Sequence, residues 1–226
     1  MSFSIYQTYD DDFILDGKKY KRNANFDNIL KVIDLMNNKE LDNLTKILVG
    51  TTMIFSEDIT SVSKTGSLED FIRELNHIFG KDYTIEDLHT ILNAALEEYI
   101  QSKEDIEYDD LGNEVPKVES AENEKLMDID HDAKEIYSSF MQAYGIDLHD
   151  QIGKMHWYKF TSLLSGLPEK TRIREIIQYR AYKKPSGNSD DYHMQMLKLQ
   201  QEYALPDKYD EDEEYDELEG VEENYE

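Results

Sequence analysis

Residues 128–132, with the sequence DIDHD, carry the ligand types that open a calcium-binding loop. Such a loop places acidic oxygens at alternate positions, a glycine at the sixth position and a glutamate at the twelfth. In this chain the sixth position would be Ala133 and the twelfth Ser139, so both of the later requirements fail. The sequence therefore predicts no metal site here, and a small metal-dependent hydrolase built on these acids is only an alternative.

Other residue types with catalytic potential are scattered along the chain. His77, Asp82 and His89 could bind a transition metal, but they fall on different predicted helical segments without a recognised ligand spacing, which favours two solvent-facing histidines. The six histidines form no Ser/His/Asp arrangement that differs from chance, and neither glycine-rich phosphate-binding motif occurs. The absence of Cys excludes disulfides and thiol nucleophiles. We therefore predict a non-enzymatic protein without a cofactor.

The segment 136–180 differs from the rest of the chain in composition. It contains the only Trp, Trp157, within the string MHWYKF. Residues 138–184 include eight Lys/Arg and four Asp/Glu, a local excess of +4 in a chain whose formal net charge is -26. A basic helical surface with aromatic edges suits a protein partner. For Trp157 and Phe160 the favoured interpretation is burial in the core, which would stabilise the domain by several kcal/mol at ~25 cal/mol per Å². Direct contact of Trp157 with a partner is the alternative.

This segment resembles a family of small tail proteins from long-tailed phages of Gram-positive bacteria, which are encoded between the major tail protein and the tape measure protein. The likeness covers roughly a fifth of the chain, and it is fainter near the start, at Asp16, Tyr20 and Phe26. The residues that carry it are Ile136, Tyr137, Phe140, the YGIDL turn at 144–148, His156, Trp157, Lys159, Phe160, Leu163, Leu164, Gly166, Leu167, Ile176, Ile177 and Arg180.

The resemblance implies a phage tail assembly chaperone that binds the tape measure protein and helps to recruit tail tube protein. Proteins of this kind drop out of the finished virion, so the expected location is the cytoplasm of the infected bacterial host. Several copies would coat one tape measure helix, which makes self-association an expectation as well. The alternative is a minor structural component of the tail that is retained in the virion.

Recognition of a long amphipathic helix requires apolar anchors that meet positions i, i+3, i+4 and i+7 of the target. We expect the segment that carries the resemblance to supply these anchors, with its cations setting the orientation of the partner. The predicted partner-binding residues are Tyr144, His156, Trp157, Lys159, Phe160, Ile173, Ile177 and Arg180.

The acidic composition limits the class of partner. With 50 Asp/Glu against 24 Lys/Arg, the field of the whole molecule repels nucleic acid and anionic membranes, so neither is expected to bind. No apolar run approaches the roughly 18 residues that suffice to span a bilayer. The N-terminal sequence MSFSIYQTYDDD lacks the basic and apolar regions of a signal peptide. We expect a soluble chain that is not exported.

Hydrophobic periodicity predicts a mainly α fold with a small N-terminal β-hairpin that turns at Asp16 and Gly17. Four helical segments are predicted before residue 102, and further helices follow Asp132. The predicted regions are the hairpin and a helical region at 1–102, an acidic flexible linker at 103–128, a helical region with the HWYKF segment at 129–184, a linker and possible helix at 185–206, and a disordered acidic C-terminal tail at 207–226.

The predicted tail has twelve acids and one Lys in its twenty residues. A solvated run of this kind commonly keeps a protein dispersed. The alternative is a detachable competitor that covers the basic surface of the HWYKF segment until a tape measure segment arrives. Such a contact would weaken as salt is added, because exposed charges are screened over ~8–10 Å at physiological ionic strength.

Overall fold

The computed structural model describes residues 9–56, 67–100, 125–183 and 190–206. These residues are mainly α-helical and include one small N-terminal β-hairpin, which confirms the predicted fold class. The chain divides into two compact units. Unit 1 comprises Met1–Pro116 with His149–Leu163, and unit 2 comprises Lys117–Leu148 with Leu164–Glu226. The region predicted at 129–184 is thus split, because residues 149–163 pack within unit 1.

The hairpin opens unit 1. Strand β1 (Asp12–Leu15) pairs antiparallel with strand β2 (Lys18–Lys21). Its turn has positive φ angles at Asp16 (50°) and Gly17 (76°). A two-residue turn of this type requires positive φ at both central residues, and Asp-Gly is among the pairs that adopt them most readily. The predicted turn is therefore confirmed.

One face of the hairpin packs on the helices of unit 1. Phe13 and Tyr20 are cross-strand partners. The ring of Phe13 lies 5.4 Å from that of Phe55, and the ring of Tyr20 lies 5.2 Å from that of Phe79. Because side chains alternate between the faces of a strand, the neighbours of Phe13 and Tyr20 point the other way.

Four α-helices follow in the described part of unit 1, and all four match predicted helical segments. They are α1 (Phe26–Asn37), α2 (Asn43–Phe55), α3 (Leu68–Phe79) and α4 (Ile85–Ile100).

The starts of α3 and α4 are set by side-chain caps. The Ser67 hydroxyl accepts a hydrogen bond from the backbone N–H of Asp70 at 3.2 Å. At α4, the Thr84 hydroxyl accepts from the N–H of Asp87, and the Asp87 carboxylate accepts from the N–H of Thr84, both at 3.1 Å. These reciprocal bonds satisfy amide groups that have no partner inside the helix. Both caps follow a local pattern, a Ser or Thr with an acid three residues later.

Helix α2 passes through a sequence that predicts an interruption, Gly50-Thr51-Thr52. The hydroxyls of Thr51 and Thr52 are buried, and each donates to the carbonyl four residues earlier at 2.7 and 2.8 Å. A Cβ at Gly50 would lie 3.1 Å from a methyl carbon of Leu92 on α4. The glycine is retained inside the helix because it allows α2 and α4 to approach closely, which offsets its poor helix propensity.

The core of unit 1 draws side chains from all four helices and from residues 149–163. Its largest fully buried apolar side chains are Ile29, Val32, Leu48, Ile54, Leu75, Leu92, Met155 and Phe160.

The remaining helices are α5 (Ala133–Tyr144), α6 (Trp157–Ser165), α7 (Arg172–Arg180) and α8 (Asp190–Glu202), with a short 3-10 helix at His149–Gln151. The 3-10 helix and most of α6 belong to unit 1, whereas α5, α7 and α8 form unit 2. Helix α5 ends at Gly145 with φ 63°, as its sequence predicts.

Helix α7 starts later than its sequence predicts. Pro168 is a favourable first helical residue, but the helix begins at Arg172. The Thr171 hydroxyl donates to the Pro168 carbonyl at 2.6 Å, which closes a turn before the helix. The backbone N–H of Ile173 then donates to the hydroxyl of Ser139 on α5 at 3.1 Å. A cap from another helix therefore sets this boundary, and local sequence does not reveal it.

Several predicted regions lie outside the described residues. The predicted linker 103–128 enters them only at 125–128. Residue 184 of the preceding helical region and residues 185–189 of the second linker are outside, and so is the whole predicted tail 207–226. The possible helix after residue 189 is confirmed as α8. None of the helices in the described ranges has the length and apolar composition required to cross a membrane.

Candidate functional site

Backbone hydrogen bonds join the HWYKF segment (residues 156–160) and the preceding Met155 to the start of α1 in unit 1. The N–H of Phe26 donates to the carbonyl of Met155 at 2.9 Å, and the N–H of Trp157 donates to the carbonyl of Ala24 at 2.8 Å. Asn25 and His156 thus form an isolated antiparallel bridge. Residues 149–163 are joined to the start of α1 by this bridge, although more than 120 residues separate the two segments in sequence.

The two large aromatic residues of the segment are part of the core of unit 1. Trp157 is 7% exposed and Phe160 is 1% exposed. The indole N–H of Trp157 donates to the carbonyl of Tyr99 at 2.8 Å. The ring of Phe160 stacks on that of Phe26 with centroids 4.9 Å apart. In the folded chain these side chains are engaged internally, as the core interpretation of the sequence proposed.

His156 and Asp11 form an acid–imidazole pair. The His156 Nε2 atom lies 2.9 Å from Asp11 Oδ1, and the Tyr99 hydroxyl donates to the same oxygen at 3.0 Å. The ring of Tyr9 stacks on the imidazole at 3.9 Å. Burial raises the pKa of Asp11, but the bonds from His156 and Tyr99 outweigh burial and hold that pKa below its usual value.

A His–Asp pair can orient a general base only if the second ring nitrogen faces a reacting group. Here the second nitrogen, His156 Nδ1, accepts a hydrogen bond from the backbone N–H of Tyr158 at 3.1 Å. Both ring nitrogens therefore have partners inside the protein. The pair joins Asp11, which precedes β1, to the HWYKF segment, so its contacts serve to stabilise the fold.

Lys159 has a different position from its neighbours. Of the four predicted partner-binding residues in unit 1, it alone is exposed, whereas His156 is half-buried and Trp157 and Phe160 are buried. Lys159 is thus the one residue of this group whose side chain is exposed in folded unit 1.

Arg180 is the centre of a buried cluster in unit 2. Two of its nitrogens donate to the two carboxylate oxygens of Asp132, both at 2.7 Å. Further donor bonds reach the carbonyls of Leu126 (3.0 Å) and Tyr203 (2.5 Å). Burial raises the pKa of Asp132, but the guanidinium of Arg180 and the backbone N–H of Asp128 together outweigh burial, so the carboxyl pKa lies below its usual value. Arg180 thus joins the start of α5 to the end of α7 and to the residue that follows α8.

The DIDHD acids form a helix-start structure. The Asp128 carboxylate accepts the backbone N–H groups of Asp130 and His131, both at 3.0 Å, and pairs with the ammonium of Lys125. The amide of His131, then the ammonium of Lys125 and last the amide of Asp130 lower the pKa of Asp128 to about 2. Asp132, the last acid, faces Arg180. In the described ranges, no group of three or more His, Asp or Glu residues is arranged to hold a metal ion.

The other predicted partner-binding residues of unit 2 line the packing of α5 and α7. Tyr144 is half-buried and contacts the ring of Phe140 at 5.7 Å. Ile173 is buried and Ile177 is half-buried. The eight predicted residues are therefore divided equally between the two units, and four of them are buried.

Some of the cations in residues 138–184 make contacts within the protein. Arg180 is buried, the Arg172 guanidinium donates to the hydroxyl of Tyr203 at 2.6 Å, and the Lys154 ammonium donates to the carbonyl of Asp150 at 2.8 Å. Part of the positive charge that the composition indicates is therefore engaged in contacts within the fold.

Helix α8 exposes apolar residues that the predicted set lacks. Met194 is 64% exposed, and Tyr192 and Leu197 are also exposed. Met194 and Leu197 are three residues apart, so they lie on the same side of the helix. The loose apolar pattern of 190–203 was the only signal in the sequence that could have identified this surface.

The model of the family described as Bacteriophage Gp15 protein matches residues 9–205, which is most of the chain. The chain belongs to this family. Membership in the Gp15 family confirms that this is a bacteriophage protein and indicates a part in phage structure or morphogenesis. Comparison with curated proteins and with solved structures gives no significant match.

Proposed function

We propose that this Gp15-family protein is a non-enzymatic tail assembly chaperone that binds the tape measure protein and helps to recruit tail tube protein. The observation that carries the proposal is the family match over residues 9–205, taken with the resemblance of residues 136–180 to tail assembly chaperones. On this account the chain acts in the cytoplasm of the infected host and leaves the particle before it is complete.

The chemistry of the two polar clusters supports a binding function. The imidazole of His156 has both nitrogens occupied, by Asp11 and by a backbone amide. The Asp132 carboxylate is bonded on both oxygens by Arg180. Each group stabilises the fold through these contacts, so neither is poised to act on a substrate.

Helix α8 is the surface that we assign to the tape measure helix. An amphipathic partner helix is recognised through exposed apolar anchors at helical spacing. Met194 and Leu197 meet that requirement, and methionine adapts to different apolar partners because its side chain is unbranched and polarisable. Lys198 is exposed beside Leu197 and can pair with acids of the partner.

The net charge of -26 suits the same function. Copies bound side by side on a long apolar helix would give the complex a strongly acidic exterior. Mutual repulsion between such complexes opposes aggregation. This repulsion also limits how closely copies pack, so self-association is expected on the tape measure helix and not in the free protein.

The test is co-expression with the tape measure protein of the same genome, followed by size-exclusion chromatography with light scattering. We expect the tape measure protein to be soluble only with this chain and to elute with several copies of it. If the tape measure protein remains insoluble and this chain elutes alone, the chaperone proposal is wrong, and a minor tail component becomes the leading interpretation.

A matched pair of variants tests the assignment of α8. Met194→Ser with Leu197→Ser should abolish co-elution, because it removes both exposed anchors. Leu44→Ser with Leu68→Ser removes two exposed leucines from unit 1 and should leave co-elution unchanged. Equal loss in both pairs would mean that α8 is not the specific surface.

A further inference from the structure

His156 occupies the N-cap position of α6 with both its backbone and its side chain. Its carbonyl accepts the first helical hydrogen bond, from the backbone N–H of Phe160 at 3.1 Å. Its Nδ1 atom accepts from the N–H of Tyr158, the second helical residue, also at 3.1 Å. A side chain that accepts from the second or third N–H of a helix is an N-cap, so the imidazole of His156 caps α6.

The cap fixes the tautomer of the imidazole. A backbone N–H can only donate, so Nδ1 carries no proton while it accepts from Tyr158. The proton of the neutral ring is therefore on Nε2, which lies 2.9 Å from Asp11 Oδ1. The side chain of His156 is 13% exposed, so both of these contacts are largely shielded from water. The neutral ring thus donates to Asp11 and accepts from Tyr158 at the same time.

A carboxylate and a guanidinium lie near the ring. Asp11 is bonded to Nε2, and the Nε of Arg22 donates to the backbone carbonyl of Asp11 at 3.3 Å. Tyr9 stacks on the ring, and the rings of Tyr99 and Tyr158 lie 6.4 Å and 5.2 Å from it. The pKa of Asp11 lies below its usual value, so this carboxylate is charged wherever a histidine titrates. Asp11 therefore retains Nε2 whether the ring is neutral or protonated.

Protonation of the ring would remove the cap. An imidazolium donates from both nitrogens, so its Nδ1 can no longer accept from Tyr158. It also places a positive charge at the start of a helix, where the helix dipole disfavours cations. The first turn of α6 contains no acid and includes the exposed Lys159, so this turn does not offset the charge. Asp11 favours the imidazolium, but its bond is to Nε2 and does not replace the cap.

We propose that His156 is a pH-sensitive N-cap, whose protonation releases the backbone N–H of Tyr158 and loosens the start of α6 while the bond to Asp11 remains. Histidine side chains ordinarily change charge between about pH 5 and pH 8. The caps of α3 and α4 use the hydroxyls of Ser67 and Thr84, which remain acceptors across that range. The start of α6 therefore responds to a change in pH that leaves these two caps intact. This device goes beyond the proposed chaperone function, since it requires no partner protein.

NMR spectroscopy of the full isotope-labelled chain tests the proposal in two ways. Long-range correlations of the imidazole nitrogens should show a proton on Nε2 alone at about pH 8 and on both nitrogens at about pH 5. Amide hydrogen exchange, corrected for the intrinsic rate at each pH, reports on the helix start. Protection of the Tyr158 amide should fall roughly fivefold over this range, the factor that corresponds to a cap of typical strength. Protection of the Asp70 and Asp87 amides, which hydroxyls cap, should not change.

Two variants separate the cap from other effects of pH. His156→Asn keeps a side-chain oxygen that can cap the helix and does not titrate, so protection of the Tyr158 amide should no longer depend on pH. His149→Asn is the matched control, because it removes an exposed histidine from the same part of unit 1. It should leave the pH dependence at Tyr158 unchanged.

Three results would overturn the proposal. One is a His156 ring that carries its proton on Nδ1 at about pH 8 or remains neutral at about pH 5. The second is protonation of the ring without loss of protection at the Tyr158 amide. The third is a pH dependence at Tyr158 that persists in His156→Asn. The first two are measured on the unsubstituted chain, so they decide the proposal even where the Asn variant does not fold, and the chaperone proposal keeps its own test.

Discussion

Among the described residues, buried charge occurs at Arg22, Asp132 and Arg180. The Arg180–Asp132 pair is bidentate, and both side chains are almost inaccessible to water. A buried pair of this kind adds little net stability relative to apolar residues, but removal of one partner leaves the other charge buried and alone. Arg180 is therefore required for the fold of unit 2, whatever partner the protein binds.

Substitution of Arg180 with Met should destabilise unit 2 by about 3–5 kcal/mol, because the Asp132 carboxylate loses its counter-charge. Circular dichroism during urea unfolding measures this change. Arg174→Met is the control, since Arg174 lies on the same helix and is only half-buried. Similar effects of the two substitutions would contradict the assigned function of the buried pair.

Asp128 makes the stability of unit 2 depend on pH. Its pKa in the folded protein is about 2, below the value of about 3.9 for an unfolded chain. The stabilisation is thus complete above pH 4 and is lost as pH falls through about 2. Asp128→Asn keeps a cap oxygen but not the charge, so its free energy of unfolding should change less between pH 4 and pH 2 than that of the wild type.

Unfolding by urea at a series of pH values would measure this difference. Asp130→Asn provides the control, because the Asp130 side chain is exposed and accepts no hydrogen bond among the described residues. If Asp128→Asn and the wild type lose the same stability over this interval, the carboxylate of Asp128 does not cause the pH dependence.

At the scale of elements, local sequence predicted the kinds of structure and several of their ends. Asp16-Gly17 specifies the hairpin turn, and Ser67 and Thr84 specify helix starts, because each acts on backbone groups within a few residues. The loose apolar pattern after residue 189 also indicated a possible helix, which is α8. Such features can be predicted without knowing which other elements each helix or strand packs against.

The return of residues 149–163 to unit 1 could not be predicted in this way. It depends on backbone hydrogen bonds that this segment makes with Ala24 and Phe26, and on the bond from the Trp157 indole to the carbonyl of Tyr99. None of these bonds has a sequence signature. Apolar spacing identifies a buried face but not its partner. Because the spacing does not identify what covers the face, Trp157 and Phe160 matched both a partner-binding surface and a core.

Phe160→Ala should destabilise unit 1 by about 3–5 kcal/mol, because it removes a buried ring that stacks on Phe26. Lys159→Ala should change stability by no more than about 0.5 kcal/mol, since that side chain is exposed. The fluorescence of Trp157, the only Trp, reports directly on unit 1 during unfolding. A small effect of Phe160→Ala would mean that the HWYKF segment is not an integral part of the core.

At the scale of the whole molecule, two helical units and a large negative charge suit a protein that covers another chain and is later released. On the proposed function, the exposed apolar residues of α8 would supply the attraction to an amphipathic helix. Repulsion between these negatively charged molecules limits contact between their exposed apolar surfaces in solution. On the proposed function, displacement by polymerising tube protein would require only that tube contacts on the tape measure helix be stronger than those of α8.

The most direct measurement is the number of copies of this chain per tape measure protein, by quantitative mass spectrometry, at two stages of infection. Tape measure complexes isolated before tube completion should contain several copies, and finished particles should contain none. A fixed number of copies in finished particles would contradict the account and support a structural tail component. Absence from the early complexes would contradict it as well, because the tape measure protein would then not be the partner.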